Sequence, residues 1–257
     1  MVGPLTLRAM KTTGHTILVT GGASGIGLAL AQSFLARGNR VIVAGRRQSA
    51  CDEAVAANPG LSALTLDVAS PDGIRSFVAE LLEQHPTLDV VIHNAGIMRA
   101  EKLQEARLED AEATIATNLL GPIRLNAALL PHLLQQKAAT VMTVSSGLAF
   151  VPMAATPTYS ATKAAIHAYT QSLRAQLQGT SVEVLELIPP AVQTELMPGH
   201  ATSAHAMPLA DYITEVMSIL ESQPDADEIC VERVKPLRFA ERAGKHADVF
   251  AMVNAPR

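Results

Sequence analysis

The sequence predicts an α/β fold: a single Rossmann-type, doubly wound parallel sheet with helices on both faces. Three observations lead there. Short β-rich runs alternate with helical stretches from residue 16 onward, most of those runs are apolar throughout, and a glycine cluster joins the first run to the first helix. Alternation makes each helix the crossover between parallel strands. Continuous apolar character is what a strand covered on both faces requires.

The elements follow in order. A first strand over 16–20 runs into TGGASGIG at 20–27, and a helix over 25–37 is stopped by Gly38 and Asn39. A strand at 40–44 and a helix at 50–57 come next. A third strand, 61–66, leads to a helix at 71–84, with Ser70 as its cap and Pro71 in its first turn. The fourth strand is 90–93. One long helix over 108–135, a strand at 140–144, a helix over 158–177 and a strand at 182–188 complete the pattern. Periodicity then loosens. Residues 195–208, ELMPGHATSAHAMP, read as a flexible substrate loop before a helix at 209–222. The segments 229–231 and 235–238 read as an edge strand or an oligomer contact.

Composition bounds the function. The 257 residues, 48% hydrophobic, suffice for one domain, placed at 11–257. Residues 1–10, MVGPLTLRAM, lack the apolar core of a signal peptide and read as a leader or extension ahead of a start at Met10. A net charge of -4 with no dense Lys/Arg run gives no electrostatic reason to bind nucleic acid. No apolar stretch of about 18 residues supports a membrane span. Cys51 and Cys230, far apart, argue against a disulfide framework or thiolate metal site and suit a reducing, cytoplasmic setting. Among the eight histidines, His93 reads as strand-end packing, and His200 and His205 lie in the loop without a third ligand. No metal is expected.

The glycine cluster stands at the carboxyl end of the first strand, where ligands of open parallel sheets bind. Glycines let a backbone approach a pyrophosphate, and the free N–H groups of a helix start favour an anion. A tight turn with no ligand is the competing reading. The spacing Thr20-Gly21-x-x-x-Gly25-Ile26-Gly27 differs from G-x-G-x-x-G and resembles the loop of the classical short-chain dehydrogenase/reductase (SDR) family. Further motifs fall in that family's order between residues 11 and 194: Asp67 in LDV, Asn94-Ala95-Gly96, Asn118, and Ser146 followed by Tyr159-x-x-x-Lys163. The segments PPAVQTELM and VERVK resemble its DltE-type branch.

The end of the second strand should read the adenosine ribose. It carries no acid there: Gly45 stands in that place, followed by Arg46 and Arg47. A guanidinium pairs with a phosphate through two parallel hydrogen bonds, so NADP(H) is favoured over NAD(H). Arg47 is the one more readily assigned to capping or solvent. The resemblance implies that Gly21, Ser24, Gly25, Ile26 and Gly27 seat the pyrophosphate, that Asp67 and Val68 hold the adenine, and that Asn94, Ala95 and Gly96 border the cofactor. A capping role competes for Asp67.

Tyr159 and Lys163 share one helix face. A phenol is a poor acid or base at neutral pH, and a nearby ammonium stabilises its phenolate. An isolated pair of this kind is common on solvated helices; the accompanying motifs favour catalysis. Ser146 stands at the family's spacing from the tyrosine and would orient a carbonyl, leaving Ser145 to local backbone bonds. The resemblance implies that Lys163 also bonds the nicotinamide ribose, and that Asn118 holds a water connecting the lysine to solvent. It places Pro189, Val192 and Thr194 near the carboxamide and pyrophosphate, with Pro190 where a glycine is usual. Met98, Leu148, Phe150, Val151, Met197 and Met207 read as an apolar pocket or as ordinary packing.

These residues imply an NADP(H)-dependent oxidoreductase acting on a small carbonyl or alcohol substrate. The alternative is a nucleotide-binding redox sensor or scaffold of the same fold with little turnover. The family also implies a homotetramer or homodimer, through the helices at 108–135 and 158–177.

Overall fold

The computed structural model describes residues 10–105 and 107–255, so the leader expectation falls largely outside the described residues. Met10 itself is buried, and its N–H donates to the Glu183 carboxylate at 2.8 Å. Seven strands form one sheet in the order β3-β2-β1-β4-β5-β6-β7, every pairing parallel. They are β1 (Thr16–Thr20), β2 (Arg40–Gly45), β3 (Leu61–Thr65), β4 (Val90–His93), β5 (Ala139–Val144), β6 (Val182–Leu187) and β7 (Glu228–Ile229).

Alternate residues of each strand feed two cores. Ile17, Val19, Val41 and Val43 pack with Leu30 and Phe34 of α1 (Gly25–Ala36) and with Tyr212 and Val216 of the helix at Leu209–Ser222. Leu18, Ile42, Val91 and Val141 pack on the other face with Ile74, Phe77 and Leu81 of α3 (Pro71–Gln84). Both faces are covered, as the apolar runs require. Between α1 and α3, α2 (Gln48–Ala57) starts two residues earlier than the sequence predicts, with Arg47 at its N-cap. The predicted helix stop and start both hold: Gly38 sits at φ +81°, Asn39 donates to the Phe34 carbonyl at 2.8 Å, and the Ser70 hydroxyl, capping the start of α3, accepts from the Gly73 N–H at 3.1 Å.

The long helix at 108–135 is not continuous. It divides into α4 (Glu109–Ile115), a π turn (Ala116–Leu120) and α5 (Gly121–Leu133). Pro122 has no N–H to continue the ladder, and the Gly121 N–H reaches back five residues to the Ala116 carbonyl. The long α6 (Pro157–Leu177) follows β5, and α7 (Leu209–Ser222) follows β6. Near the expected 229–231 an edge strand does form, but β7 covers only Glu228 and Ile229, and residues 230 and 231 lie outside it. The chain at Lys235–Arg238 is a short helix, α8, rather than a strand; Pro236 suits a first helical turn and not a ladder. A last helix, α9, covers His246–Val253. No helix among the described residues is long and apolar enough to cross a membrane.

The loop after β6 is fastened at its base. Val192 bridges Met207, with the Gln193 N–H donating to the Met207 carbonyl at 2.9 Å and the Met207 N–H to the Ala191 carbonyl at 2.8 Å. Periodicity could not reveal this, because the paired residues stand far apart in sequence and form one isolated bridge.

Candidate active site

The carboxyl ends of β1, β2 and β4 meet where the strand order reverses, and the glycine turn fills that place. The Gly21 N–H donates to the Ala44 carbonyl at 2.7 Å, and Gly21 takes φ +64°. A Cβ on Gly27 would stand 2.3 Å from the Gly21 carbonyl oxygen and 2.4 Å from Asn94 Nδ2, so only glycine lets α1 start this close. Thr20 and Asn94 hold the turn from behind. The Asn94 amide donates to the Thr20 and Gly21 carbonyls at 3.0 and 3.1 Å, while the Thr20 hydroxyl accepts from the N–H groups of Asn94 and Ala95, each at 3.1 Å. Asn94 is therefore a strut whose side chain is already occupied.

Ser24 stands exposed at the N-cap of α1 without giving its hydroxyl to the helix, and no acid occupies the first turn. The helix start is left open to an anion. A cleft of about 240 Å³ runs from this turn past Gly45, Arg46 and Arg47 to Asp67 and Val68, and along Ala95, Gly96 and Ile97. Both arginines are exposed. The Asp67 carboxylate accepts from the Ala69 N–H at 3.0 Å, a turn cap that leaves its second oxygen available. Glycine backbone, the N–H groups at the start of α1 and flanking guanidinium groups fit an anionic dinucleotide. Thr194 reaches over the turn, its side chain 3.5 Å from where a Gly25 Cβ would lie; Ile26 packs beside the buried Val192 against the core.

Next to this cleft lie the four residues of the second motif set. Asn118 falls inside the π turn and is buried. Its carbonyl oxygen accepts from the Ile97 N–H and its amide donates to the Ile97 carbonyl, both at 2.9 Å, with a further bond to Thr162 at 3.3 Å. The side chain thus ties the loop following Gly96 to α6. Ser146 lies two residues past β5 and caps the short turn at Gly147–Ala149; its hydroxyl accepts from the Leu148 N–H at 3.1 Å. Ser145, expected to make local backbone bonds, instead has a buried hydroxyl without a partner. The Pro189 carbonyl accepts from the Gly147 N–H at 2.9 Å, so the loop after β6 is anchored to the serine turn.

Tyr159 and Lys163 lie one turn apart on α6, both buried. The Lys163 ammonium donates to the Val144 carbonyl at 2.7 Å and stands 5.6 Å from the Tyr159 ring centre. Burial pushes the phenol up to about 12; the neighbouring Ser146 hydroxyl, which favours the phenolate, offsets only part of this. Burial pushes Lys163 down to about 8, with Glu186 opposing the fall. The arrangement holds a protonated phenol beside an ammonium, not a preformed phenolate.

Two features that shape this site escaped the sequence reading. Glu101 caps α6, its carboxylate accepting from the Thr158 N–H at 3.1 Å and the Thr158 hydroxyl at 2.7 Å. His167, Glu186 and Glu228 come together with ligand-type atoms within 4.8 Å of one another. A glutamate inside the apolar run of β6 was the available signal, since a strand covered on both faces rarely buries a charge. His93 behaves as its position suggests: it is buried against Asn126 at 2.7 Å, and burial pushes it down to about 4.

The comparisons with known proteins agree with this geometry. The short chain dehydrogenase family matches residues 15–203. The uncharacterized oxidoreductase DltE of Bacillus subtilis is 38% identical over 241 residues, covering 91% of this chain and 94% of that protein. The NADP-dependent 3-hydroxy acid dehydrogenase YdfG of Salmonella typhi is 34% identical over 176 residues, covering 67% of this chain and 71% of that one. A crystal structure of a short-chain dehydrogenase from Streptomyces avermitilis superposes with a TM-score of 0.80 at 25% identity, over 92% of this chain and 96% of that one. With the parallel sheet, the turn at its switch point and a family match that spans both, the chain belongs to the short-chain dehydrogenase family of oxidoreductases, in its DltE type.

Proposed function

We propose that this oxidoreductase is NADP(H)-dependent and moves hydride between the nicotinamide and a carbonyl or alcohol substrate, with Tyr159 as general acid and base. The observation that carries the reading is the buried Tyr159–Lys163 pair on one stripe of α6, set beside the glycine turn at the carboxyl end of the sheet. When bound, the nicotinamide supplies or accepts the hydride. The residues here do the rest: the Ser146 hydroxyl orients the substrate oxygen, the Tyr159 phenol gives it a proton, and the Lys163 ammonium favours the phenolate left behind. Asn118 keeps the wall beside Ile97 in place and, by family resemblance, serves proton resupply. Gly21, Ser24, Gly25, Ile26 and Gly27 would hold the pyrophosphate, Asp67 and Val68 the adenine, Asn94, Ala95 and Gly96 the adjoining edge, and Pro189, Val192 and Thr194 the carboxamide side. Lys163 and Tyr159 would also meet the nicotinamide ribose.

NADPH oxidation by the purified protein over ketones, aldehydes and quinones, with NADH in parallel, tests this reading. Turnover supports it. Tight NADPH binding with no turnover over a broad panel favours a sensor instead.

The preference for NADP(H) rests on Arg46 and Arg47 and on the NADP-dependent Salmonella relative. Charge-assisted bonds of roughly 1.5–3 kcal/mol give Arg46→Ala an expected tenfold to hundredfold loss of NADPH affinity with little change for NADH. Titration of both nucleotides checks it; equal affinities that the substitution leaves alone contradict the assignment.

We further propose a homodimer or homotetramer through α4, α5 and α6, in the cytoplasm. Leu108 (64%), Ile115 (39%) and Leu134 (44%) are exposed along that stretch of chain, and both cysteines are free thiols. Burying such side chains on association is worth roughly 1.5–3 kcal/mol each. Light scattering at micromolar concentration should give a mass of two or four chains; monomers contradict the interface.

A further inference from the structure

Glu186 is fully buried on β6, where its neighbours Val184, Leu185 and Leu187 are apolar. A carboxylate removed from water costs several kcal/mol unless it is paired and hydrogen-bonded. Strand register shows its place: His93 pairs with Thr143, Thr143 with Glu186, and Glu186 with Glu228, one polar row across four strands. Helical residues answer each member. Asn126 meets His93 at 2.7 Å, Thr170 meets Thr143 at 2.7 Å, His167 Nδ1 lies 2.8 and 3.0 Å from the two Glu186 oxygens, and Arg238 donates to both Glu228 oxygens at 2.7 and 2.8 Å. The Thr143–Glu186 pair of this row is one residue before Val144, whose carbonyl takes the Lys163 ammonium. Tyr159, Lys163 and His167 recur every fourth residue along α6 and form one stripe over it.

We propose that Glu186, held by His167 one turn of α6 beyond Lys163, is a positioning residue of the active site whose buried carboxylate is the counter-charge of the buried Lys163 ammonium. The assignment rests on the reading of Lys163 given above. Burial alone favours the neutral amine, and Glu186 is the charge that opposes it. The groups around the pair do not replace it. Glu228 is neutralised by Arg238, whose guanidinium stacks 4.4 Å from the Phe150 ring centre, and Arg174 donates to the Val184 and Asp227 carbonyls. The Cys230 thiol, pushed up to about 12, and the Tyr159 phenol stay neutral. A metal ion among His167, Glu186 and Glu228 would have to displace Arg238, which already supplies the positive charge.

The sign follows directly. Removing the Glu186 charge lowers the pH at which Lys163 gives up its proton, and the ammonium is lost nearer neutrality. The test is pulse acetylation of the full chain without cofactor across a pH series, reading the Lys163 peptide by mass spectrometry against the exposed Lys137. In Glu186→Gln the midpoint for Lys163 is expected to fall by about one pH unit or more; Glu186→Asp, which keeps the charge, should stay near the unmodified protein. Glu186→Leu, which removes the same charge without leaving a buried amide, should move the midpoint the same way and serves if the glutamine variant does not fold. A merely structural role would lower the melting temperature and leave the midpoint alone. An unchanged midpoint in a folded Glu186→Gln or Glu186→Leu protein overturns the proposal. Because labelling needs no nucleotide, failure to bind NADPH would count against the functional reading and not against this one.

Discussion

Replacing Tyr159 by phenylalanine is expected to lower kcat/KM for carbonyl reduction by roughly two to four orders of magnitude, the usual scale for a lost general acid, while NADPH affinity falls by no more than about tenfold, the net worth of one hydrogen bond to the ribose. The substitution removes one oxygen and leaves the ring. Tyr159 is buried, so its ring continues to fill the space between Ser146 and α6, and Lys163 retains its bond to the Val144 carbonyl. Stability should therefore change by no more than the net worth of a hydrogen bond, roughly 0.5–1.5 kcal/mol. A loss of turnover with retained NADPH fluorescence enhancement and retained melting temperature isolates the proton donor. Turnover within a few-fold of the parent would mean that another group gives the proton.

The pH dependence carries the same argument with a sign. In the cofactor-free protein burial holds the phenol at about 12 and the lysine at about 8. Reduction needs the proton on the phenol, so its rate should be flat through neutral pH and fall on the alkaline side. Alcohol oxidation needs the base and should rise over the same range. The bell or step seen in kcat/KM reports the Tyr159–Lys163 pair together, since neighbouring titrations are shared.

What was legible in the sequence had local causes. Apolar runs, the Ser70-Pro71 helix start and the glycine turn depend on a few adjacent residues, and β1, β4 and α3 fall where those signals place them. The doubly wound parallel sheet also follows, because strand and helix alternate and crossovers between parallel strands have one hand. What was missed depends on residues brought together by tertiary packing. Asn118 reads as a mid-helix residue, and neither the π turn it occupies nor its two bonds to the Ile97 backbone can be read from the spacing around it. The four-residue spacing of Tyr159 and Lys163 sets a shared face but does not show which backbone group the ammonium meets; the Val144 carbonyl takes it. The two-residue β7 and the helix at Lys235–Arg238 were ambiguous for a simpler reason: segments that short have no period to read.

Gly27→Ala is the second large effect, and two physical tendencies compete in it. Alanine is the better helix former by about 1 kcal/mol, and Gly27 is the third residue of α1. Propensity alone would make the variant more stable. Packing opposes it, because the new methyl would lie 2.3 Å from the Gly21 carbonyl oxygen and 2.4 Å from Asn94 Nδ2, well inside contact distance. Neither neighbour can yield cheaply. The Gly21 N–H is fastened to the Ala44 carbonyl at 2.7 Å, and the Asn94 amide is bonded to the Thr20 and Gly21 carbonyls, so a shift breaks the bonds that shape the turn. Overpacking costs about 1–3 kcal/mol and a stranded buried polar group a similar amount, together exceeding the gain in propensity. The expected net loss is about 1–5 kcal/mol, or on the order of 10 °C in melting temperature for a chain of this size. NADPH affinity should fall further than stability does, because the displaced N–H groups at the start of α1 are those proposed to meet the pyrophosphate. Calorimetry and nucleotide titration of the same preparation separate the two losses. A variant that melts with the parent and binds NADPH as well would show that the turn has room for a side chain, and the case for a backbone pressed against a phosphate would go with it.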